Sequence, residues 1–219
     1  MPDGPVHAVN MSFGFPEYHP TLEPIDQALK AARERGLLFF AAAGNAGANT
    51  GKIWPACSVD SGVIAVGPTN SFGRESHFGS GTSALLHTFG EAVESCQEDS
   101  NKKTIHRSGT SFATPIAVAI TAIVLGTVDT YVSDHPHSLP ENFQRDLMPR
   151  LNVRAGMERI LRTMCTDQSE EVREGKLVYI TPWYFLKRPE LYRVHVIADH
   201  LQNVQEPGVL RGGGKLAVH

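Results

Sequence analysis

The chain predicts an α/β fold, three layers deep, with a parallel sheet held between helices. Three observations lead there. Residues 6–42 read as strand, helix, strand, the unit that builds parallel sheets covered by helices. Leu37-Leu38-Phe39-Phe40 is a continuous apolar run, the mark of a strand buried on both faces. Ile116–Val128 is a longer apolar run opening on a Gly-Thr turn, as expected of a buried helix.

The elements follow in order. Val6–Ser12 reads as the first strand. Thr21 can cap a helix through Glu34, with Leu22, Ile25, Leu29 and Ala32 on one face. Gly36 supplies the stop, and Leu37–Ala42 is the next strand. Residues 94–107 are polar and predict a loop. Pro115 falls in the first turn of the apolar helix, where its missing N–H costs nothing. Residues 129–142 hold Pro136 and Pro140 and predict a connector. Leu151–Met164 predicts a helix, with Val153, Met157, Ile160, Leu161 and Met164 as its apolar face. Residues 187–219 carry charges and Gly212-Gly213-Gly214, and read as a mobile tail or linker in which Val194–Ile197 could form a strand. No strand precedes those glycines and no helix follows, so a flexible end is favoured over a phosphate loop.

Composition narrows the function. The 219 residues suit one domain, and 41% hydrophobic content suffices for a core. A net charge of −3 directs the chain to neither nucleic acid nor an anionic membrane. Ile116–Val128 is too short to span a bilayer. Cys57, Cys96 and Cys165 are odd in number and widely spaced, which argues against a disulfide framework and for a reducing compartment. Met1-Pro2-Asp3-Gly4-Pro5 lacks the pattern of a secretory signal, so a cytoplasmic location is expected. Neither CxxC nor HExxH occurs, His135 and His137 form only a short loop pair, and no carboxylate cluster has calcium-ligand spacing. No cofactor or metal is expected.

The chemistry concentrates at Gly109-Thr110-Ser111-Phe112-Ala113-Thr114-Pro115. A serine on a tight turn at a helix mouth sits where developing negative charge is favoured. Ala41-Ala42-Ala43-Gly44-Asn45 follows the buried strand, so Asn45 lies past its carboxyl end, where open α/β sheets place their sites. By itself, Gly-Asn after a strand is an ordinary turn. A second Gly-Thr-Ser, at Gly81-Thr82-Ser83, lacks both the Ala-Thr-Pro and the long helix and reads as a plain loop.

The first of these motifs resembles the nucleophile motif of the subtilisin-like serine proteases (subtilases), and the second resembles their oxyanion motif. Asn45 and Ser111 stand 66 positions apart, similar to the family's spacing. Val9-Asn10-Met11-Ser12-Phe13-Gly14 resembles the family's substrate-binding strand, Val63-Ile64-Ala65-Val66-Gly67 resembles a core strand, and Ser76-His77-Phe78-Gly79-Ser80 sits where the family has an Ala-Ser-Phe-Ser stretch. The resemblance covers about residues 6–128, and residues 1–186 read as a partial subtilase domain. It implies that Ser111 is the nucleophile and that Asn45 donates to the oxyanion. It further implies that Ser12, Phe13, Gly14, Ala42, Ala43, Gly44 and Thr110 bind a polypeptide substrate in extended form, by strand addition.

The family's acid and base precede the Asn10–Gly14 strand, and the chain contains no His-Gly-Thr. Asp3-Gly4 stands too close to the strand to be the acid element. The resemblance thus implies the C-terminal part of a catalytic domain, with its N-terminal part missing. His77, His87 and His106 lie in the matched region, and each reads as a surface or polar-core histidine rather than a substitute base. The segment from Gly156-Met157 to Ile180-Thr181-Pro182-Trp183, together with Ser111–Ala117, resembles the intracellular fungal branch, and Ile116, standing where secreted members carry histidine, favours that branch. Domains of that branch are often one module of a multidomain protein with ankyrin or nucleotide-binding regions. Phe89-Gly90-Glu91-Ala92 departs from the family's Ala-Pro-Gly. The expectation is a serine endopeptidase domain, acting through an acyl-enzyme on Ser111 and inactive as this chain alone. The alternatives are a non-catalytic peptide-binding or scaffold module, and a truncated product with no stable fold.

Overall fold

The computed structural model describes residues 6–47, 51–58, 60–79, 86–96, 104–139, 141–165 and 179–202, with backbone alone at 141–143. Its centre is a sheet of four parallel strands in sequential order: β1 (Ala8–Met11), β2 (Leu38–Ala42), β3 (Ile64–Thr69) and β4 (Leu86–Phe89). Ala8 pairs with Leu38, Phe40 with Ile64, and Val66 with Leu86.

Alternation along the strands explains the layers. Leu38, Phe40, Ile64, Val66 and Leu86 face one core, and Phe39, Ala41, Val63 and Ala65 face the other. The second core is covered by α1 (Glu23–Glu34), entered through a 3-10 turn at Pro20–Leu22. Its buried residues are Asp26 and Leu29, joined by Leu22 of the entering turn, while Ile25 is exposed. Asp26 is drawn inward because the Ser61 hydroxyl, itself fully buried, donates to its carboxylate. Thr21 is not the cap; its N–H donates to the His19 ring nitrogen. Gly36 ends the segment at φ 82°, the left-handed backbone that favours glycine.

The first core is covered by α2 (Thr110–Asp134), which touches all four strands. Its length and mean hydropathy of 1.9 would suit a membrane span, yet half of that stretch is buried inside the protein. Behind it stand α3 (Glu141–Leu151), α4 (Arg154–Thr163), a short α5 (Trp183–Leu186) and α6 (Glu190–Leu201).

Several expectations are corrected. Residues 94–107 are not wholly loop: β5 (Val93–Cys96) and β6 (Thr104–Arg107) form an antiparallel pair. The 129–142 connector shortens, because α2 continues to Asp134 and α3 begins at Glu141. Residues 190–201 are neither tail nor strand. They form α6, whose Val194, Ile197 and Leu201 are fully buried against the first core. Spacings of three and four put these residues on one helical stripe. Asp3-Gly4, Gly81-Thr82-Ser83 and Gly212–Gly214 lie outside the described residues.

Candidate active site

The site forms where β1, β2 and α2 meet. Ser12–Gly14 continue from the carboxyl end of β1, and Ala43–Asn45 from that of β2. Ser111 stands in the first turn of α2. Gly109 precedes it at φ 151°, ψ 159°, a region essentially reserved for glycine. Its N–H donates to the Gly90 carbonyl at 2.8 Å, which fixes the turn to the end of β4. Gly90 allows this approach: a Cβ there would stand 2.8 Å from Pro68 Cβ and 2.9 Å from Ala113 Cβ.

Asn45 is held in one orientation. Its Oδ1 accepts from the Thr110 N–H at 2.8 Å and from Thr110 Oγ1 at 3.0 Å. A backbone N–H can only donate, so the acceptor end of the amide must face α2 and the NH₂ end must face away. Asn45 thereby satisfies one of the orphan N–H groups of the helix and presents a donor from the same side chain. A Cβ on Gly109 would lie 3.3 Å from Asn45 Nδ2. Asn45 is exposed, and Thr110 is buried. The turn is braced from within by Thr114 Oγ1, which donates to the Thr110 carbonyl at 2.7 Å.

Ser111 and Ser12, 99 positions apart, bond reciprocally. Ser111 Oγ donates to the Ser12 carbonyl at 3.2 Å, and Ser12 Oγ donates to the Ser111 carbonyl at 2.9 Å. The end of β1 is thus tied to the mouth of α2. Among the described residues no histidine hydrogen-bonds the Ser111 hydroxyl. His87 is buried on β4, and His106 is exposed on β6.

The structure therefore brings together Ser111, Thr110, Asn45 and Ser12, with Gly14 and Ala42–Gly44 on the two flanking segments. Phe13 is about half exposed and stacks edge-on against Phe15, with ring centroids 6.4 Å apart. Sequence reading missed Ile53 and Trp54, which sit between the flanking segments. A loop without periodicity gave no signal for them. Among the described residues, no group of three or more His, Cys, Asp or Glu side chains is gathered to hold a metal.

Fold and site define the class: a parallel α/β domain with a serine at a helix mouth and an asparagine clamped beside it. Residues 2–154 match the model of the subtilase family, and the chain belongs to that family. A subtilisin-like protease of Coccidioides posadasii (strain C735) is 29% identical over 166 residues, covering 73% of this chain and 36% of that protein. The M-protease of Shouchella clausii (strain KSM-K16) is 34% identical over 122 residues, covering 54% of this chain and 30% of that protein. The chain thus spans about a third of these curated relatives. The prenylagaramide maturation protease PagA superposes with a TM-score of 0.57 at 20% identity, covering 89% of this chain and 62% of that one. The PatG macrocyclase, solved in complex with peptide, also gives 0.57 at 20% identity, covering 86% and 51%. At these identities the two structures establish the fold.

Proposed function

We propose that this chain supplies the nucleophile and oxyanion side of a serine endopeptidase. Ser111 Oγ attacks the scissile carbonyl, and its proton passes to a base. The Asn45 amide and the first turn of α2 hold the oxyanion, and as the tetrahedral adduct collapses the base returns the proton to the leaving nitrogen, so that the C–N bond breaks, the amine departs and an acyl-enzyme remains. The observation that carries this reading is the clamping of Asn45 Oδ1 by Thr110, which turns the amide donor away from the helix beside Ser111. Ser12–Gly14 and Ala42–Gly44 hold the polypeptide in extended form.

The base and its orienting acid come, in this reading, from a further part of the domain. Two features support that. On the side of β1 away from β2, no described strand pairs. Beside it lies a groove of about 370 Å³ lined by Val6, Ala8, Val118, Ala122, Leu125 and Met148 among others. Without a base, Ser111 is an ordinary alcohol. Loss of the histidine in the subtilisin template lowers kcat by about 10⁶, so this chain alone is expected to be inactive. The test is a protein joining this chain to an upstream subtilase segment. Cleavage of an unstructured protein must appear and must vanish with Ser111→Ala; cleavage that survives the substitution refutes the assignment.

A second reading is a peptide-binding module that does not cut. It is favoured by the Ser111 hydroxyl being engaged with the Ser12 carbonyl. It predicts that peptide binding survives Ser111→Ala and is lost on Phe13→Asp.

A further inference from the structure

We propose that Ile53 limits the size of the side chain admitted to the substrate cleft, so that the residue before the scissile bond is glycine, alanine or serine. This deepens the cleft reading above and rests on it.

The argument begins with two diverging segments. β1 and β2 pair in register as far as Met11 with Ala41. Beyond that point the chains separate into Ser12–Gly14 and Ala42–Gly44, and a side chain of bound peptide would enter between them. The segment Ile53-Trp54 closes the bottom of that gap and is bonded to both sides. Ile53 N–H donates to the Ala43 carbonyl at 3.2 Å. Trp54 exchanges two backbone hydrogen bonds with Phe15, at 2.8 and 2.9 Å.

The Ile53 side chain lies over the open face of Gly14. A Cβ on Gly14 would stand 2.4 Å from Ile53 Cδ1 and 2.6 Å from Ile53 Cγ1. The space that a glycine at this place leaves free is therefore already taken by a branched four-carbon side chain. Retreat is obstructed as well. Trp54 is 2% exposed, and its ring packs against those of Phe15 and Tyr18, each with centroids 6.0 Å away. Both backbone anchors resist a shift of residue 53. A large residue entering the gap would have to displace Ile53, whereas a methyl or hydroxymethyl group need not.

The experiment uses fluorescein-labelled oligoalanine peptides with a free terminal carboxylate. The Asn45 amide and the N-terminus of α2 are suited to hold that carboxylate, which sets the last residue above Ile53. One peptide ends in Ala and the other in Phe. Binding to the full chain is read by anisotropy for the wild type, Ile53→Ala and Ile53→Gly. The wild type should bind the Ala peptide at least tenfold more tightly. Both variants, which remove three and four carbons, should tighten the Phe peptide by about tenfold or more, since a single methylene in a pocket is already worth about tenfold. Ile53→Ala keeps the test valid if the glycine variant folds poorly. Binding of both peptides with an affinity ratio that ignores residue 53 overturns this inference and leaves the cleft reading standing. No binding of either peptide overturns both.

Discussion

At the residue scale, the site depends on one glycine and one amide. Gly109→Ala forces a side chain into a glycine-only backbone region and brings it to 3.3 Å from Asn45 Nδ2. The cost should be about 1–3 kcal/mol, read by thermal unfolding. Asn45→Ala, in a chain joined to an upstream segment, should lower kcat by about 10²–10³ with little change in KM, a magnitude carried over from subtilisin. An unchanged kcat would remove Asn45 from the oxyanion role. The cysteines are separable in the same way. Burial pushes the Cys165 thiol up to about 11, while Cys57 and Cys96 are exposed. A thiol reagent at neutral pH should modify Cys57 and Cys96 well before Cys165, as peptide mass mapping would show.

At the element scale, α1 is pinned to the sheet layer through Asp26. Its carboxylate accepts from Lys30 at 2.7 Å, and from the hydroxyls of Ser61 and Ser58. These partners, Lys30 foremost, hold its proton affinity below the ordinary carboxylate range. A depressed folded pKa contributes stability that is present above the unfolded value, about 3.9, and lost as pH falls through the folded one. Asp26→Ala should cost about 1–3 kcal/mol at neutral pH, because it removes the buried acceptor that the Ser61 and Ser58 hydroxyls share. It should also flatten the acid limb of the stability curve below about pH 4. At the other end of the chain, α6 gives a larger effect. Leu201 is fully buried, and Leu201→Ala should cost about 2–5 kcal/mol. A residue in a mobile tail would cost nothing, so urea unfolding separates the two descriptions.

At the scale of the whole molecule, the two sheet margins differ. β4 is bridged by Tyr179, and Ile180 N–H donates to the His87 carbonyl at 2.9 Å. No described strand meets the outer margin of β1. On the same side, Ala122 of α2 lines the groove and is exposed. An open strand beside an apolar groove invites association between copies. Ala122→Lys places a charge in the groove at an exposed position. It should lower light scattering of the isolated chain while leaving its melting temperature within about 2 °C. Two packed cores also predict a single cooperative thermal transition. A gradual melt would favour a chain that does not fold on its own.

What was legible in the sequence was local. Leu37–Ala42 announced a buried strand by unbroken apolarity, and Gly109–Pro115 announced a helix mouth by residues that suit nothing else. Ser111 and Asn45 were found because each sits on a motif contiguous in the chain. Tertiary structure decided what depends on partners far away in sequence. It turned Asp26 inward in place of Ile25, because a buried serine waits there. It folded residues 190–201 as a helix, because α2, α3 and α4 present an apolar surface to cover. It placed Ile53 over Gly14, a contact 39 positions apart with no periodic signal. Periodicity and turn chemistry are encoded in neighbours along the chain, so sequence alone determined β1, β2 and the helix mouth, and marked Ser111 as the candidate nucleophile. Orientation of the Asn45 amide and the depth of the cleft arise from contacts across the sheet, and only the folded chain sets them.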